Sequence, residues 1–303
     1  MKIAYVGLGN LGGHLATSIR RAGYDLVVTD LNRDAATDLL AAGASWADDA
    51  AAAAESADVV FTCLPSPRAI EIVLAGDRGI LSTLKSGGVW IDNSTNDRDL
   101  LMRLANVAAA QGVRTIEAPV TGGVHLAASG EITVIVGADV ADFEEYRVLF
   151  EAIGGKVFHV GPIGQASVIK VITNMLAFIH LVACGEALML AKQGGLDLRQ
   201  AWEVIRASSG NSFVHETEGQ VILNGSYDIG FTIDLALKDL TFADQLGSEF
   251  GVPLDLVSMT RQTFVRARSE YGGDAWSSQV VKLLEDAVGT DLRAPGFPDR
   301  IEA

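Results

Sequence analysis

Lys170 and Asn174 stand four residues apart at the start of a long apolar stretch, VIKVITNMLAFIHLVACGEALML, residues 168–190. On a helix that spacing places both side chains on one face. A lysine beside so much apolar surface loses hydration, which lowers its pKa from about 10.4 toward the range useful for proton transfer. Asn174 could orient that amine or hold a substrate. The same pair is also compatible with a snorkelling lysine and an asparagine that satisfies nearby backbone. A second candidate is the turn Thr121-Gly122-Gly123 in EAPVTGG, which offers a hydroxyl and unobstructed amides, groups able to hold a carboxylate. Glycine pairs also mark plain turns.

The third candidate lies at the start of the chain, where KIAYVGLGNLGGHLATSIRRAG reads as strand, tight turn and helix. Gly7, Gly9 and Gly12 fit G-x-G-x-x-G, whose glycines serve a tight turn, the close approach of a pyrophosphate, and helix-on-strand packing. A second apolar run, Leu26 to Thr29, ends at Asp30, eighteen residues beyond Gly12. An acid at that distance suits the ribose hydroxyls of a dinucleotide and repels a 2′-phosphate, so NAD is the expected cofactor. Arg33 follows closely and leaves NADP open, although a solvated surface arginine is the simpler account of it.

These residues need a scaffold, and the pattern supplies one. Apolar runs at 2–6, 25–29, 58–63, 88–92, 114–117, 132–136 and 156–160 alternate with helical periodicity and predict a mainly parallel α/β sheet. From Gln165 the strand signals stop and long helical patterns take over. The expectation is a dinucleotide-binding domain over 1–162 and an all-helical domain for substrate and oligomerisation over 163–303. The alanine-rich stretch 47–54 predicts a surface helix. Ligands of open α/β sheets bind beyond the carboxyl ends of strands. That singles out CLPS (63–66), DNST (92–95) and EAPVTGG (117–123).

Composition narrows the classes. The chain has 303 residues, 49% of them hydrophobic, and a formal net charge of −15, which opposes nonspecific attraction to nucleic acid or anionic lipid. The stretch 171–190 is long enough to span a membrane. It carries Asn174, His180 and Glu186, however, so a helix buried between domains or subunits is expected, with no membrane partner. Cys63 and Cys184 predict reduced core thiols. The five histidines show neither metal spacing nor a triad and are read as structural. His125, after the Thr-Gly-Gly turn, is read as a loop residue that could reach a substrate. Lys238 and Asp239 in LALKDL read as a solvated pair. The N-terminus enters a strand at once, leaving no room for a signal peptide, and predicts a cytoplasmic protein. The tail after Gly289 reads as a docking segment or a disordered one.

Taken in order, GLGNLG, CLP, DNST, EAPVTGG, GPIGQASVIKVITN and LALKDL resemble the β-hydroxyacid dehydrogenase family, from residue 2 to about residue 285. The resemblance implies a Rossmann-like N-terminal domain with an all-α C-terminal domain, as in 6-phosphogluconate dehydrogenase. It implies NAD(P)-dependent interconversion of a small 3-hydroxy acid and its semialdehyde or ketone. Lys170 becomes the general acid/base, assisted by Asn174, and Thr121, Gly122 and Gly123 become the carboxylate site. Lys238 falls near both substrate and cofactor. Gly7, Leu8, Gly9, Asn10, Leu11, Gly12, Asp30, Leu64, Pro65 and Thr95 become the cofactor site. The resemblance also implies a homodimer or homotetramer. The family usually has serine at 121 and a small or acidic residue at 125, so the departures fall on substrate choice. Two other readings are an imine reductase, a class sharing the architecture but generally lacking the lysine, and a dinucleotide-binding protein without turnover.

Overall fold

The computed structural model describes residues 1–301. The chain forms two compact units, residues 1–170 and residues from 171 onward. In the first, β1 (Lys2–Val6), β2 (Asp25–Thr29), β3 (Ser45–Trp46), β4 (Val59–Thr62), β5 (Val89–Asp92), β6 (Arg114–Glu117), β7 (Val120–Thr121), β8 (Thr133–Gly137) and β9 (Lys156–Gly161) build one sheet. The order is β3-β2-β1-β4-β5-β6-β8-β7, with β9 on β8. Strands β1 to β6 run parallel, while β8 is antiparallel to β6 and β7 and parallel to β9. The seven expected strands are present to within a residue at each end. Strands β3 and β7, of two residues each, are too short to leave an alternation in the sequence.

The helices of this unit are α1 (Gly12–Arg21), α2 (Thr37–Ala41), α3 (Ala50–Ala54), α4 (Pro67–Ala75), α5 (Arg98–Ala109), α6 (Val124–Ser129), α7 (Val140–Ile153) and the first turns of α8 (Gln165–Gln193). Alternation along β1 divides the core. Ile3 and Tyr5 join Leu15, Ile19, Leu149 and Phe150 on one face. Ala4 and Val6 join Val60, Ile70, Trp90 and Leu101 on the other. Helix α3 corrects the expected surface helix, because Ala50, Ala51, Ala53 and Ala54 are all buried. With no side chain beyond Cβ, these alanines let the helix lie close against the sheet.

The second unit is helical, with α8 continuing into it, followed by α9 (Leu198–Arg206), α10 (Phe213–Glu216), α11 (Glu218–Asn224), α12 (Ile233–Phe250), α13 (Asp255–Tyr271) and α14 (Lys282–Val288). Val171, Phe178, Leu181 and Leu188 of α8 enter its core, where Phe178 meets Phe264 edge-on at 5.5 Å. Only 33% of the most apolar window of α8 is buried within the chain, and Ile172, Leu176 and Leu190 are exposed. Among the described residues the tail docks: Leu292 is fully buried, its amide donates to Glu285 Oε1 at 2.7 Å, and Arg293 reaches the same carboxylate at 3.0 Å.

Candidate active site

The strand order reverses between β1 and β4, so the turns leaving their carboxyl ends open a crevice where an open α/β sheet takes ligands. The glycine turn follows β1. Gly7 has φ +96°, and a Cβ there would stand 2.4 Å from the Cys63 carbonyl oxygen of the neighbouring turn. A Cβ on Gly12 would stand 2.0 Å from the Gly7 oxygen. Gly9 is exposed, and a Cβ on it would meet no protein atom within 4 Å. Two glycines are thus required by the protein's own packing, and the third leaves backbone open to a ligand. Helix α1 begins at Gly12 with no side-chain cap; Gly13 and His14 donate to the backbone oxygens of Gly9 and Leu11, and the positive end of the helix dipole suits a phosphate. Asp30 closes β2, accepting from the Leu8 amide at 2.6 Å and from the Asn32 amide at 2.8 Å. Its carboxylate is thereby held beside the glycine turn, and together these groups fit a dinucleotide. Arg33 is exposed, with its guanidinium 5.3 Å from the centre of the Trp46 ring.

Across the crevice, Leu64 donates its amide to Ser94 Oγ at 2.9 Å, which ties the CLPS turn to DNST. Pro65 is exposed and Thr95 half-buried. Beneath them lies a carboxylate that sequence reasoning left without a role. Asp92 is buried and accepts from Thr62 Oγ1 at 2.8 Å, the Ser94 amide at 3.1 Å and Asn96 Nδ2 at 3.3 Å. Burial pushes its carboxyl above the ordinary value, and these hydrogen bonds oppose the rise. Burial also pushes the Cys63 thiol up to about 12, with Asp92 adding to the effect and Tyr5 and Lys170 opposing it. Cys63 is a free thiol and an inert one at neutral pH.

Lys170 is 7% exposed, and its charge reaches the Cys63 thiol beyond the end of β4. The helix start that carries it is tied to the sheet by Glu117, also buried. Glu117 accepts from the amides of Gly164, Ala166 and Ser167 at 2.5, 2.8 and 3.0 Å and from Ser167 Oγ at 2.5 Å. Thr121 ends β7, and Gly122 and Gly123 follow at φ +128° and +90°, conformations that favour glycine. His125 lies in α6 rather than in a loop, because helix begins immediately after Gly123. Its ring is 3.1 Å from where a Gly123 Cβ would be, and burial lowers its pKa.

In the second unit Asn174, one turn beyond Lys170 on α8, donates Nδ2 to Asp239 Oδ2 at 2.6 Å. Lys238 donates Nζ to Asp239 Oδ1, also at 2.6 Å. The expected solvated pair is therefore corrected: Asp239 has no exposed surface and joins Asn174 to Lys238. The fixed carboxylate orients an amide and an ammonium at once. Asp92, Glu117 and Asp239 share a signal that was available in the sequence, an acid closing or interrupting an apolar run. An acid in such a place is buried and needs several donors. Among the described residues, no group of three or more His, Cys, Asp or Glu side chains could hold a metal ion.

Residues 2–161 match the family model for the NAD binding domain of 6-phosphogluconate dehydrogenase. Residues 164–284 match the model described as NAD-binding of NADP-dependent 3-hydroxyisobutyrate dehydrogenase. The chain is 33% identical over 293 residues to 2-(hydroxymethyl)glutarate dehydrogenase of Eubacterium barkeri, covering 96% of this chain and 97% of that one. It is 36% identical over 251 residues to an NAD-dependent L-serine dehydrogenase of Pseudomonas aeruginosa, covering 80% and 84%. Among solved structures, 3-hydroxyisobutyrate dehydrogenase from Salmonella typhimurium superposes with a TM-score of 0.87 at 29% identity, covering 93% of this chain and 99% of that one. An imine reductase from Myxococcus stipitatus, at 16% identity and a TM-score of 0.63 over 94% and 100% of the two chains, shares the fold alone. With both units matched and the glycine turn built to take a dinucleotide, the chain belongs to the 3-hydroxyisobutyrate dehydrogenase group of the β-hydroxyacid dehydrogenases, NAD(P)-dependent oxidoreductases acting on CH–OH groups.

Proposed function

We propose that the protein oxidises a small 3-hydroxy acid, of the size of 3-hydroxyisobutyrate, to its semialdehyde or ketone, or runs the reverse reduction, with NAD preferred over NADP. The observation that carries this reading is the buried Lys170, one helical turn before an asparagine locked by Asp239. The nicotinamide cofactor supplies the hydride acceptor or donor. The chain's residues do the rest. Thr121, Gly122 and Gly123 hold the substrate carboxylate, Lys170 exchanges the hydroxyl proton, and Asn174 and Lys238 fix the substrate's orientation. Asp30 favours NAD because its carboxylate, fixed by the Leu8 and Asn32 amides, repels a 2′-phosphate.

A homodimer or homotetramer is part of the same reading, supported by the exposed apolar residues of α8. The test is reduced-cofactor formation with 3-hydroxyisobutyrate, glycerate, serine, threonine, phenylserine and 4-hydroxybutyrate, using NAD and then NADP. Turnover of one small acid with NAD, abolished in Lys170→Ala while NADH still binds, is the expected result. A Lys170→Ala enzyme with wild-type kcat would remove the lysine from this role. Turnover of cyclic imines but of no hydroxy acid would favour an imine reductase.

A further inference from the structure

Glu117 is buried at the carboxyl end of β6, and the sequence is built around its carboxylate at two places. Gly137, its partner on β8, has no room for a side chain: a Cβ there would stand 2.2 Å from Glu117 Oε1 and 2.7 Å from its Cγ. The carboxylate then meets the start of α8, where each oxygen accepts two hydrogen bonds, from Gly164 and Ala166 at Oε1 and from the amide and hydroxyl of Ser167 at Oε2. Three of the four partners are backbone amides, which cannot accept, so the ionised carboxylate satisfies the set best; burial pushes the Glu117 carboxyl up, and these same hydrogen bonds hold it down. A helix start leaves amides without partners in its own ladder and favours a negative charge beside it. Such caps usually come from the helix's own first residues, whereas this one comes from the sheet.

The clamped turn lies immediately under Lys170, which is three residues beyond Ser167 and four beyond Ala166 and so shares their face of α8. We propose that Glu117 is a positioning residue for Lys170: its carboxylate fixes the first turn of α8 to the end of β6 and so sets where the amine is presented. This rests on the reading of Lys170 as the proton-exchanging group. Glu117 acts through the helix and touches neither substrate nor cofactor in this role. Its negative charge also favours the ammonium form of a lysine held in the same buried region.

The test is Glu117→Gln, which keeps the side-chain shape but removes the charge and turns one acceptor into a donor facing donors. Expected are a fall in kcat of about tenfold or more, because small displacements of a reacting group are costly. KM and the NADH dissociation constant should stay within about twofold, since the groups assigned to binding are untouched. The acid limb of the kcat profile should move down by about half a pH unit. Ser167→Ala removes one of the four donors and should move the same quantities less. The chain has seven lysines, so side-chain NMR, with Lys170 assigned through Lys170→Arg, follows its titration without any substrate.

Wild-type kcat and an unmoved Lys170 titration in Glu117→Gln would overturn the proposal. Should that variant not fold, unmoved values in Ser167→Ala would do so. A wild-type protein silent toward every hydroxy acid would defeat the functional reading, while the Lys170 signal would still decide whether Glu117 positions it.

Discussion

A glycine can be required by the protein's own packing or by what the protein must admit, and Gly12 and Gly9 divide along that line. At Gly12 a methyl group would lie 2.0 Å from a backbone oxygen and 3.1 Å from Cys63 Cβ, neither of which is a flexible side-chain end. Helix α1 would have to move away from β1. Gly12→Ala is therefore expected to lower stability by about 1–3 kcal/mol, as overpacking does, and to weaken NADH binding. At Gly9 the methyl group meets nothing within 4 Å, so Gly9→Ala should unfold at the wild-type temperature. Its NADH affinity should still fall about tenfold or more, because the methyl occupies the path of the pyrophosphate. Thermal unfolding without cofactor and fluorescence titration with NADH separate the two effects. Unchanged affinity in Gly9→Ala would show that the open backbone at this turn is not where the cofactor lies.

Helix α11 carries a conflict at its first turn. Glu218 occupies its first turn, where an acid complements the helix dipole, yet its Oε2 is buried without a hydrogen-bond partner. Burial raises its carboxyl from 4.5 to about 8. Between those values the folded protein holds a proton that the unfolded chain has released, so stability falls as pH rises through the window and levels off above it. Glu218→Gln should flatten that slope and raise stability at pH 8.5 by about 1–3 kcal/mol, the cost of a poorly solvated polar group. Urea unfolding at pH 5.5, 7 and 8.5 reads both quantities, and equal slopes for the two proteins would mean that Glu218 ionises normally. Elements like these also mark the limit of the sequence. The long strands, the glycine turn and the change to helix at Gln165 were legible because periodicity and turn chemistry are local. Asp239 in LALKDL looked solvated because its partner Asn174 is sixty-five residues away. Strands β3 and β7 and the clamp from Glu117 to the start of α8 likewise exist only through tertiary pairing. The buried carboxylates Asp92 and Glu117 of the first unit and Asp239 of the second were in view as residue types, but their donors were not.

At the scale of the whole molecule, charge and apolar surface pull in opposite directions. A net charge of −15 makes separate copies repel one another. Against this, Ile172, Leu176, His180, Ala183, Ala187 and Leu190 follow one another at helical spacing along α8, and all are exposed. Single exposed apolar residues are common, but a stripe with His180 within it and Glu186 at its edge still leaves Ile172, Leu176 and Leu190 in water, at about 1.5–3 kcal/mol for each large side chain that could be buried. In a twofold assembly each such residue would count twice, since the same patch serves both copies. The prediction is an assembly whose affinity rises with salt, because salt screens the repulsion and leaves the apolar contact intact. Ile172→Lys with Leu176→Lys should shift it to monomer while NADH still binds, as these side chains stand apart from the glycine turn in sequence and in element. Sedimentation velocity at low and high salt is the measurement. A wild-type monomer at both would mean that the stripe is tolerated in solvent, and the homo-oligomer would have to be abandoned.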